Sequence, residues 1–519
     1  MKKVILVFFT TIFFIIGCSE QTEGPVGDPL ETYELLTRIV EDNRSYTEHD
    51  FDGVTDLLYD YTYSDDELPE EILQSLRFSM ESKFQFSKED MIEDVELMNS
   101  TLKYKYALYE FMGGDEAFAE AKYAIIEEIN QMPDDLVNRS EFIQLLLKHY
   151  DFIEDTHFHI DQYPIEEGRH GIFLSEKYQF VPDGEGNFYL LNEDGSYTSK
   201  LSAVNGDKDV ETYLKPTINE EGAIVYVPGI FTDEEEEFGW QLKMQGEKET
   251  EEVVTVTLEE VPYRPQGGSL FEMKEQEGIP YLTWRTMMVR RSDPFDYFDM
   301  IDTAEVLKDE PYFILDLRSN GGGNTLVVDQ WLEKLFDDPV SLSSKLIRLF
   351  SNTGYTFVQD TVDLYDSYGY VFETFDETED FYLFDQFDYP MDPQWELEYS
   401  PLATVEDNET HIFILIDRGT ASAGEYITAL LKNVNNTTVI GVNSAGAVRS
   451  GNTLLMELPN TTVDLSVPVV FMYEPDLVHK EAIGIEPDLW VDPEKVEERV
   501  IKLIHSEKRH LEELIGNVE

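Results

Sequence analysis

A serine lies where a short apolar segment gives way to a helical pattern. Residues 411–417, HIFILID, are mostly branched and apolar, which predicts a buried strand. Further along, apolar residues recur at helical spacing, at Ile427, Leu430 and Leu431. Ser422 is therefore expected at a helix N-terminus, near unpaired backbone N–H groups and the positive end of the helix dipole. This position suits a nucleophilic serine, and it equally suits a serine that only caps the helix.

Three consecutive glycines follow a second predicted strand. Residues 312–317, YFILDL, are predicted to be a buried strand that leads into Gly321, Gly322 and Gly323, with a helix from Leu326. Glycines at such a place let the backbone approach a ligand closely. The approach could serve a phosphate or an oxyanion. No Gly-Lys-Ser/Thr sequence follows, as it does in phosphate-binding loops.

Two histidines alternate at the end of a predicted helix. His157 and His159 would share one face of a strand and could bind a metal, but a metal site needs further ligands and no H-E-x-x-H pattern accompanies them. A histidine is also the usual general base for a serine nucleophile. A structural role is the third reading of the pair, and the residues alone leave the choice between base and structural histidine open.

Composition limits the classes of protein. The chain has 519 residues, more than one ordinary core holds, with 38 Lys and Arg against 107 Asp and Glu for a net charge of −69. Nucleic acid is excluded as a partner because phosphate binding needs clustered basic residues. A single cysteine, Cys18, rules out a disulfide within the chain.

The N-terminus predicts an anchored, exported protein. A basic start and the apolar run Val4–Ile16 are typical of a signal peptide and too short to span a membrane comfortably. The sequence Ile15-Ile16-Gly17-Cys18 resembles a bacterial lipobox, in which the cysteine is lipidated and becomes the mature N-terminus. We therefore predict a lipoprotein signal peptide at 1–18, a tether at 19–28, and an extracytoplasmic protein held on the bacterial cell membrane by its lipid. An ordinary signal peptide is the alternative.

The rest of the chain divides by pattern. Residues 29–160 show helical periodicity, and residues 161–270 show strand signals and glycine turns. The β-rich part is either a plain β domain or a PDZ-like module, because Val204-Asn205-Gly206 resembles a turn of such peptide-binding modules. Residues 271–519 alternate strands and helices, with an aromatic and acidic insertion at 351–404 that could line or cover a cleft.

Three segments together resemble the C-terminal processing, or tail-specific, serine peptidases. They are Leu315–Gly323, Thr420–Glu425 and Gly484–Asp488, and they occur in the family's order and spacing. The resemblance extends over roughly residues 144–491. It implies an α/β fold with a crotonase- and ClpP-like catalytic core of β-β-α units. It also implies that Ser422 is the nucleophile and that N–H groups of the 321–323 run (Gly321 and Gly322) and of Ala423 form the oxyanion hole.

One departure from the family pattern concerns the general base. Many bacterial relatives use a lysine in a Gly-x-x-x-x-Gly-Lys-Gly loop. The matching loop here begins at Gly441, and Ala447 occupies the lysine position. Lys432, on the helix after the serine, does not match that position.

A second branch of the family, similar to tricorn protease, uses serine, histidine and glutamate. Asp155-Thr156-His157-Phe158 is similar to its histidine motif, and Glu481 occupies the position of its glutamate. The resemblance thus implies His157 as general base and Glu481 as the carboxylate that orients it, directly or through a hydroxyl such as that of Thr156.

The sequence therefore predicts a serine peptidase that cleaves peptides or unfolded proteins through an acyl-enzyme, without a cofactor or metal. The alternative is an inactive family member that binds a peptide or another ligand, because the usual lysine is absent. Metal binding at His157 and His159 is a third, weaker hypothesis.

Overall fold

A computed structural model of the chain describes residues 32–516 apart from 43, 45–46, 65–66, 79–81, 167, 169, 235–236, 247–249 and 372–389. The predicted signal peptide and tether, with Cys18, lie outside the described residues. Among the described helices, none is both long and apolar enough to cross a membrane. The α-helices are Thr32–Asp42, Glu70–Ser75, Lys88–Leu102, Gly114–Gln131, Arg139–His149, Tyr297–Leu307, Thr325–Phe336, Asn352–Ser367, Ala423–Leu431, Pro475–Val478 and Val496–Gly516.

A six-stranded, mainly parallel sheet carries both predicted catalytic segments. Its strands, in spatial order, are Phe271–Gln276, Ile279–Trp284, Tyr312–Asp316, His411–Ile416, Thr437–Gly441 and Leu489–Trp490. Only the first strand runs antiparallel to its neighbour. The middle strands are buried on both faces, as their continuous apolar runs predict. The two strands predicted before the glycines and before Ser422 are confirmed, and they are adjacent and parallel.

An antiparallel sheet packs against the helical part of the chain. Its strands are Gln394–Ser400, Ser344–Phe350, Asp464–Tyr473, His159–Ile160 and Tyr163–Pro164 in order, with Ser450–Glu457 also paired to Asp464–Tyr473. The helices between residues 70 and 149 share one apolar core with this sheet. The first helix instead buries Leu35, Leu36 and Ile39 against the other sheet and the last helix. The helical part is therefore packed continuously with the α/β part.

The β-rich part forms a nine-stranded antiparallel sheet. Its strands are Gly171–Leu174, Phe180–Pro182, Phe188–Leu191, Tyr197–Val204, Leu214–Ile218, Ile224–Thr232, Gly239–Gln245, Glu251–Thr257 and Glu259–Glu260. After the Asn205–Gly206 turn, the chain makes a single 3₁₀ turn at Glu211–Tyr213. Further 3₁₀ turns lie at Val54–Leu57 and Tyr61–Tyr63, and a short hairpin joins Gln85–Ser87 to Leu136–Asn138. The fold is thus mixed α/β with several sheets.

The segment predicted as an insertion contains regular structure in its described residues. It begins with the helix Asn352–Ser367, and the strand Gln394–Ser400 belongs to the antiparallel sheet. Residues 372–389 lie outside the described residues. The sequence pattern did not indicate these two elements, because their apolar residues are interspersed with many aromatic and acidic ones.

A buried ion pair anchors the start of the glycine loop. Arg318 donates to both oxygens of Asp316 at 2.8 and 2.7 Å, and Arg285 donates to the same carboxylate at 2.8 Å. Burial by itself would raise the pKa of Asp316, but the two guanidinium groups outweigh it and lower that pKa to about 2. The ion pair therefore fixes the position at which the loop leaves its strand.

We expect Arg318→Met to lower the free energy of unfolding by about 3 kcal/mol, because it leaves a buried carboxylate short of its bidentate partner. Urea denaturation followed by circular dichroism measures this change. Arg264→Met is the matched control, since Arg264 pairs with Glu494 at the exposed surface and its loss should cost less than about 1 kcal/mol. Equal destabilisation by the two substitutions would contradict the anchoring role.

Candidate active site

Ser422 occupies a strained turn between a buried strand and a helix. The strand His411–Ile416 ends in the turn, and the helix Ala423–Leu431 begins directly after the serine. Ser422 has φ 53° and ψ −119°, a backbone conformation that non-glycine residues rarely adopt. Such strain persists only where the surroundings hold it. The serine is half-buried.

Hydrogen bonds tie this turn to the glycine loop. Asp417 accepts the N–H of Ser319 at 2.6 Å, and the Thr420 hydroxyl donates to the Leu317 carbonyl at 2.8 Å. The Ala421 N–H donates to the Asn320 carbonyl at 2.8 Å. Because the two parent strands are parallel neighbours, their carboxyl ends bring the two loops together at one edge of the sheet.

Gly322 lies directly against the serine. A β-carbon at Gly322 would lie 2.7 Å from Ser422 Cβ and 2.9 Å from the Ala423 nitrogen, and Gly322 has φ +88°. Only glycine fits this close approach. The glycine loop therefore lies beside the serine, at a distance that only a residue without a side chain allows.

The donors of the predicted oxyanion hole are not equivalent. The Gly322 N–H already donates to Asn320 Oδ1 at 2.7 Å, and Asn320 is itself buried and bonded to the Trp284 carbonyl at 2.8 Å. The Gly322 N–H is therefore used inside the loop in this structure, and its role as an oxyanion donor stays a prediction. The N–H groups of Gly321 and Ala423 make no hydrogen bond to a described residue.

His157 and Ser422 line the same cavity. The cavity has a volume of about 750 Å³ and also includes the glycines 321–323 in its wall. Apolar side chains, among them Leu326, Leu346 and Met472, and several polar and charged ones complete the wall. The cavity is large enough for several residues of a peptide.

The electrostatic surroundings keep His157 neutral. Burial lowers the pKa of His157, and the nearby Asp155 charge opposes this only in part. Asp155 accepts the backbone N–H of His157 at 3.0 Å, the Ser450 hydroxyl at 2.7 Å and the Tyr106 hydroxyl at 2.8 Å. The His157 Nδ1 atom is buried and has no hydrogen-bond partner among the described residues. A neutral imidazole can accept a proton.

Glu481 contacts Thr156, the residue before His157. Its carboxylate accepts the Thr156 N–H at 2.9 Å and the Thr156 hydroxyl at 2.8 Å. It does not bond the His157 ring directly in the described structure. Burial, followed by the charge of Asp155, raises the pKa of Glu481 to about 7. Of the two arrangements expected for this glutamate, the contact with the hydroxyl of Thr156 is the one present.

Glu425 is a site residue for which sequence reasoning stated no role. It is fully buried and accepts the N–H of Ser422 at 3.1 Å, the Ser444 hydroxyl at 2.5 Å, and the N–H groups of Gly446 and Ala447 at 2.7 Å each. A glutamate three residues after a helix-capping serine is the capping-box pattern, and that pattern could have indicated the contact. Burial raises the pKa of Glu425 to about 7 against these hydrogen bonds.

The other predicted residues lie elsewhere or differ in role. Ala447, at the usual lysine position, offers no amine, and its N–H is bonded to Glu425. Lys432 ends the helix after Ser422 and lines a different cavity. His159 contacts the Thr156 carbonyl at 3.1 Å. In the part of the chain that is described, the group of three potential metal ligands is His49, Glu474 and Asp476, so neither histidine of the predicted pair belongs to it.

A strained serine after a strand and a buried histidine that line one glycine-walled cavity are the features expected of a serine hydrolase. Residues 281–491 match the model of Peptidase family S41. This match indicates a serine peptidase with a peptide or protein substrate, and it does not favour the inactive alternative. No protein with a curated description matches the chain significantly.

Solved structures show weaker likenesses. Mature CPAF is 15% identical, with 80% of this chain and 97% of that chain covered and a TM-score of 0.40. The photosystem II D1 C-terminal processing protease is 13% identical, with 80% and 96% covered and a TM-score of 0.33. Tricorn protease is 11% identical, with 79% and 35% covered and a TM-score of 0.32. Scores at this level do not establish a common fold, so the assignment rests on the family match.

We expect Gly322→Ala to reduce kcat/KM by about a hundredfold, because the new methyl group displaces Ser422 or the glycine loop. Hydrolysis of casein measures the effect. Gly239→Ala is the control, since a methyl group there meets no neighbouring atom. Unchanged activity in Gly322→Ala would show that the serine does not depend on this close approach.

The titration of Glu425 predicts a pH-dependent stability difference. Its folded pKa of about 7 lies above the ordinary value of 4.5, so its favourable contribution is complete below about pH 4.5 and is lost as the pH rises through 7. Glu425→Gln does not titrate, so the stability of the wild type minus that of the variant should shrink between pH 4.5 and 7, by on the order of 1–3 kcal/mol.

Unfolding midpoints in urea across this pH range test the expected difference. Glu120→Gln is the control, because Glu120 is exposed on the helix Gly114–Gln131. A wild-type minus Glu425→Gln difference that stays constant with pH would contradict the shifted pKa.

Proposed function

We propose that this protein hydrolyses peptide bonds through an acyl-enzyme, with Ser422 as nucleophile, His157 as general base and Glu481 as orienting carboxylate. The observation that supports this most is that Ser422 and His157 line one cavity, whose wall also includes the 321–323 loop. The family match supplies the reaction class.

The proton would move between the serine and the histidine. His157 accepts the Ser422 proton as the hydroxyl oxygen attacks the peptide carbonyl, and it returns a proton to the leaving amine. Water then attacks the acyl-enzyme by the same route in reverse. Burial favours the neutral imidazole before the attack, which supports its role as a base.

The orienting carboxylate would act through Thr156. The Thr156 hydroxyl donates to Glu481, so its oxygen lone pairs can accept a hydrogen bond from the His157 Nδ1–H. That nitrogen is buried without a partner among the described residues, and a hydrogen bond to this hydroxyl would satisfy it. A charged Glu481 then stabilises the imidazolium through the hydroxyl, in the manner of a serine-protease carboxylate.

The oxyanion would be held by backbone donors. The Ala423 N–H lies at the first residue of the helix, where the helix dipole adds positive potential. The Gly321 N–H is the second donor, since Gly322 uses its own N–H within the loop. The absence of an amine at Ala447 leaves no lysine dyad at that position, which favours His157 as the base.

We also propose that the protein acts outside the cytoplasm as a lipoprotein. The apolar run Val4–Ile16 and Cys18 after Gly17 support processing and lipidation. The following 19–28 stretch would hold the peptidase away from the membrane surface.

We expect fluorophosphonate probes to label the wild type and not Ser422→Ala, because only an activated serine reacts. Casein hydrolysis should fall at least about 10³-fold in both Ser422→Ala and His157→Ala, because the pair acts as a unit. Ser100→Ala and His505→Ala are controls on helices outside the cavity. Hydrolysis that survives Ser422→Ala, or that stops only with a metal chelator, would overturn the assignment.

The relay through Thr156 makes a separate prediction. Thr156→Val removes the hydroxyl and should lower kcat about tenfold or more, whereas Thr156→Ser keeps it and should retain most activity. Equal activities in the two variants would place Glu481 outside the proton relay while leaving Ser422 and His157 in place.

A further inference from the structure

A second cavity lies at the opposite end of the helix that begins after Ser422. Its volume is about 620 Å³, and its wall includes Ala429, Lys432 and Asn433 from the end of that helix. The strand Leu214–Ile218 of the β-rich part and the segment 474–490 complete it. Neither Ser422 nor His157 lines this cavity. Nine helical residues separate the two sites by about 13 Å along the axis.

Two lysines in its wall lack a carboxylate partner. Lys215 and Lys432 are both partly buried, and no described carboxylate lies within ion-pair distance of either. Among the described residues, the hydrogen-bond partner of the Lys432 ammonium is the Glu486 carbonyl, at 3.4 Å. Burial lowers the pKa of both lysines. In a chain with 107 acidic and 38 basic residues, cations left without a carboxylate are unexpected and costly to bury.

The carboxylates that line the cavity already have partners. Glu486 pairs with Lys480 at 2.8 Å, and Glu474 pairs with His49 at 2.7 Å. Asp488 accepts the Val439 N–H at 2.7 Å. Asp476 lies 3.7 Å from the His49 ring. None of these carboxylates forms an ion pair with Lys215 or Lys432, and Glu474 and Asp476 share the single His49 ring. Their negative charges disfavour a ligand with more than one negative charge.

The wall also carries an apolar portion beside these charged groups and the polar Asn433 and His479. The Lys215 ammonium lies 5.5 Å from the centre of the Trp490 ring, so the cation stands beside a flat aromatic face. Leu214, Leu342 and Ile485 add aliphatic surface. A cavity of this volume holds far more than an inorganic ion.

We propose that this cavity binds an organic monocarboxylate whose carboxylate pairs with Lys215 and Lys432 and whose apolar body packs on Trp490. The inference does not rest on the peptidase mechanism, since this cavity shares no lining residue with the cavity that Ser422 lines. The ligand would connect the β-rich part to the end of the nucleophile-bearing helix, because Lys215 and Lys432 belong to these two elements.

Isothermal titration calorimetry of the full-length protein in detergent tests the proposal, with indole-3-acetate as probe. We expect one site, and at least about tenfold weaker binding in Lys215→Met and in Lys432→Met, since each removes one desolvated charge partner. The neutral indole-3-acetamide should bind at least about tenfold more weakly than the acid. Lys502→Met, on the exposed face of the last helix, and Ser422→Ala should leave the affinity unchanged.

Thermal melting first confirms that each variant is folded, and Lys215→Met on the strand Leu214–Ile218 carries the test if Lys432→Met is not folded. The proposal is overturned if the acid does not bind, if the acid and the amide bind equally, or if both lysine variants keep full affinity. Inorganic phosphate that competes fully with the acid would also overturn it, because the site would then recognise a small anion without the apolar body.

Discussion

Two buried carboxylates, Glu425 and Glu481, divide four consecutive backbone N–H groups between them. Glu425 accepts those of Gly446 and Ala447, and Glu481 accepts those of Val448 and Arg449 at 3.1 and 2.8 Å. The first carboxylate also holds the N–H of Ser422, and the second holds Thr156 beside His157. The segments that contain Thr156 and Ser422, more than 260 residues apart in the chain, are therefore both linked to the backbone of residues 446–449.

Burying these two carboxylates costs free energy, which the surrounding structure offsets. Each carboxylate is buried, and its desolvation alone disfavours the charged form. The mutual repulsion of the two acids adds to the raised pKa of Glu425. Ser422 stores further strain of about 1–3 kcal/mol in its backbone. The parallel strands on either side, buried on both faces, provide the rigid frame that holds these groups in place.

Local pattern was sufficient for the elements that carry the site. The apolar runs before Gly321 and before Ser422 are strands as predicted, and helices follow both loops. It was insufficient for residues 351–404, where a helix and a sheet strand appear among aromatic and acidic residues. Those elements are stabilised by packing against distant strands, which a local window of sequence does not contain.

The sequence by itself identified the candidate serine and histidine, the glycine loop and the alanine at the usual lysine position, because each is a matter of residue type at a given spacing. Only the tertiary structure decided that the Gly322 N–H donates to Asn320 and that Glu481 contacts Thr156 and not the imidazole. It also decided that Glu425 accepts the N–H of Ser422. These are choices among several possible partners for one donor or acceptor. They depend on distances of a few tenths of an ångström between segments far apart in the chain, and spacing along the sequence carries no such information.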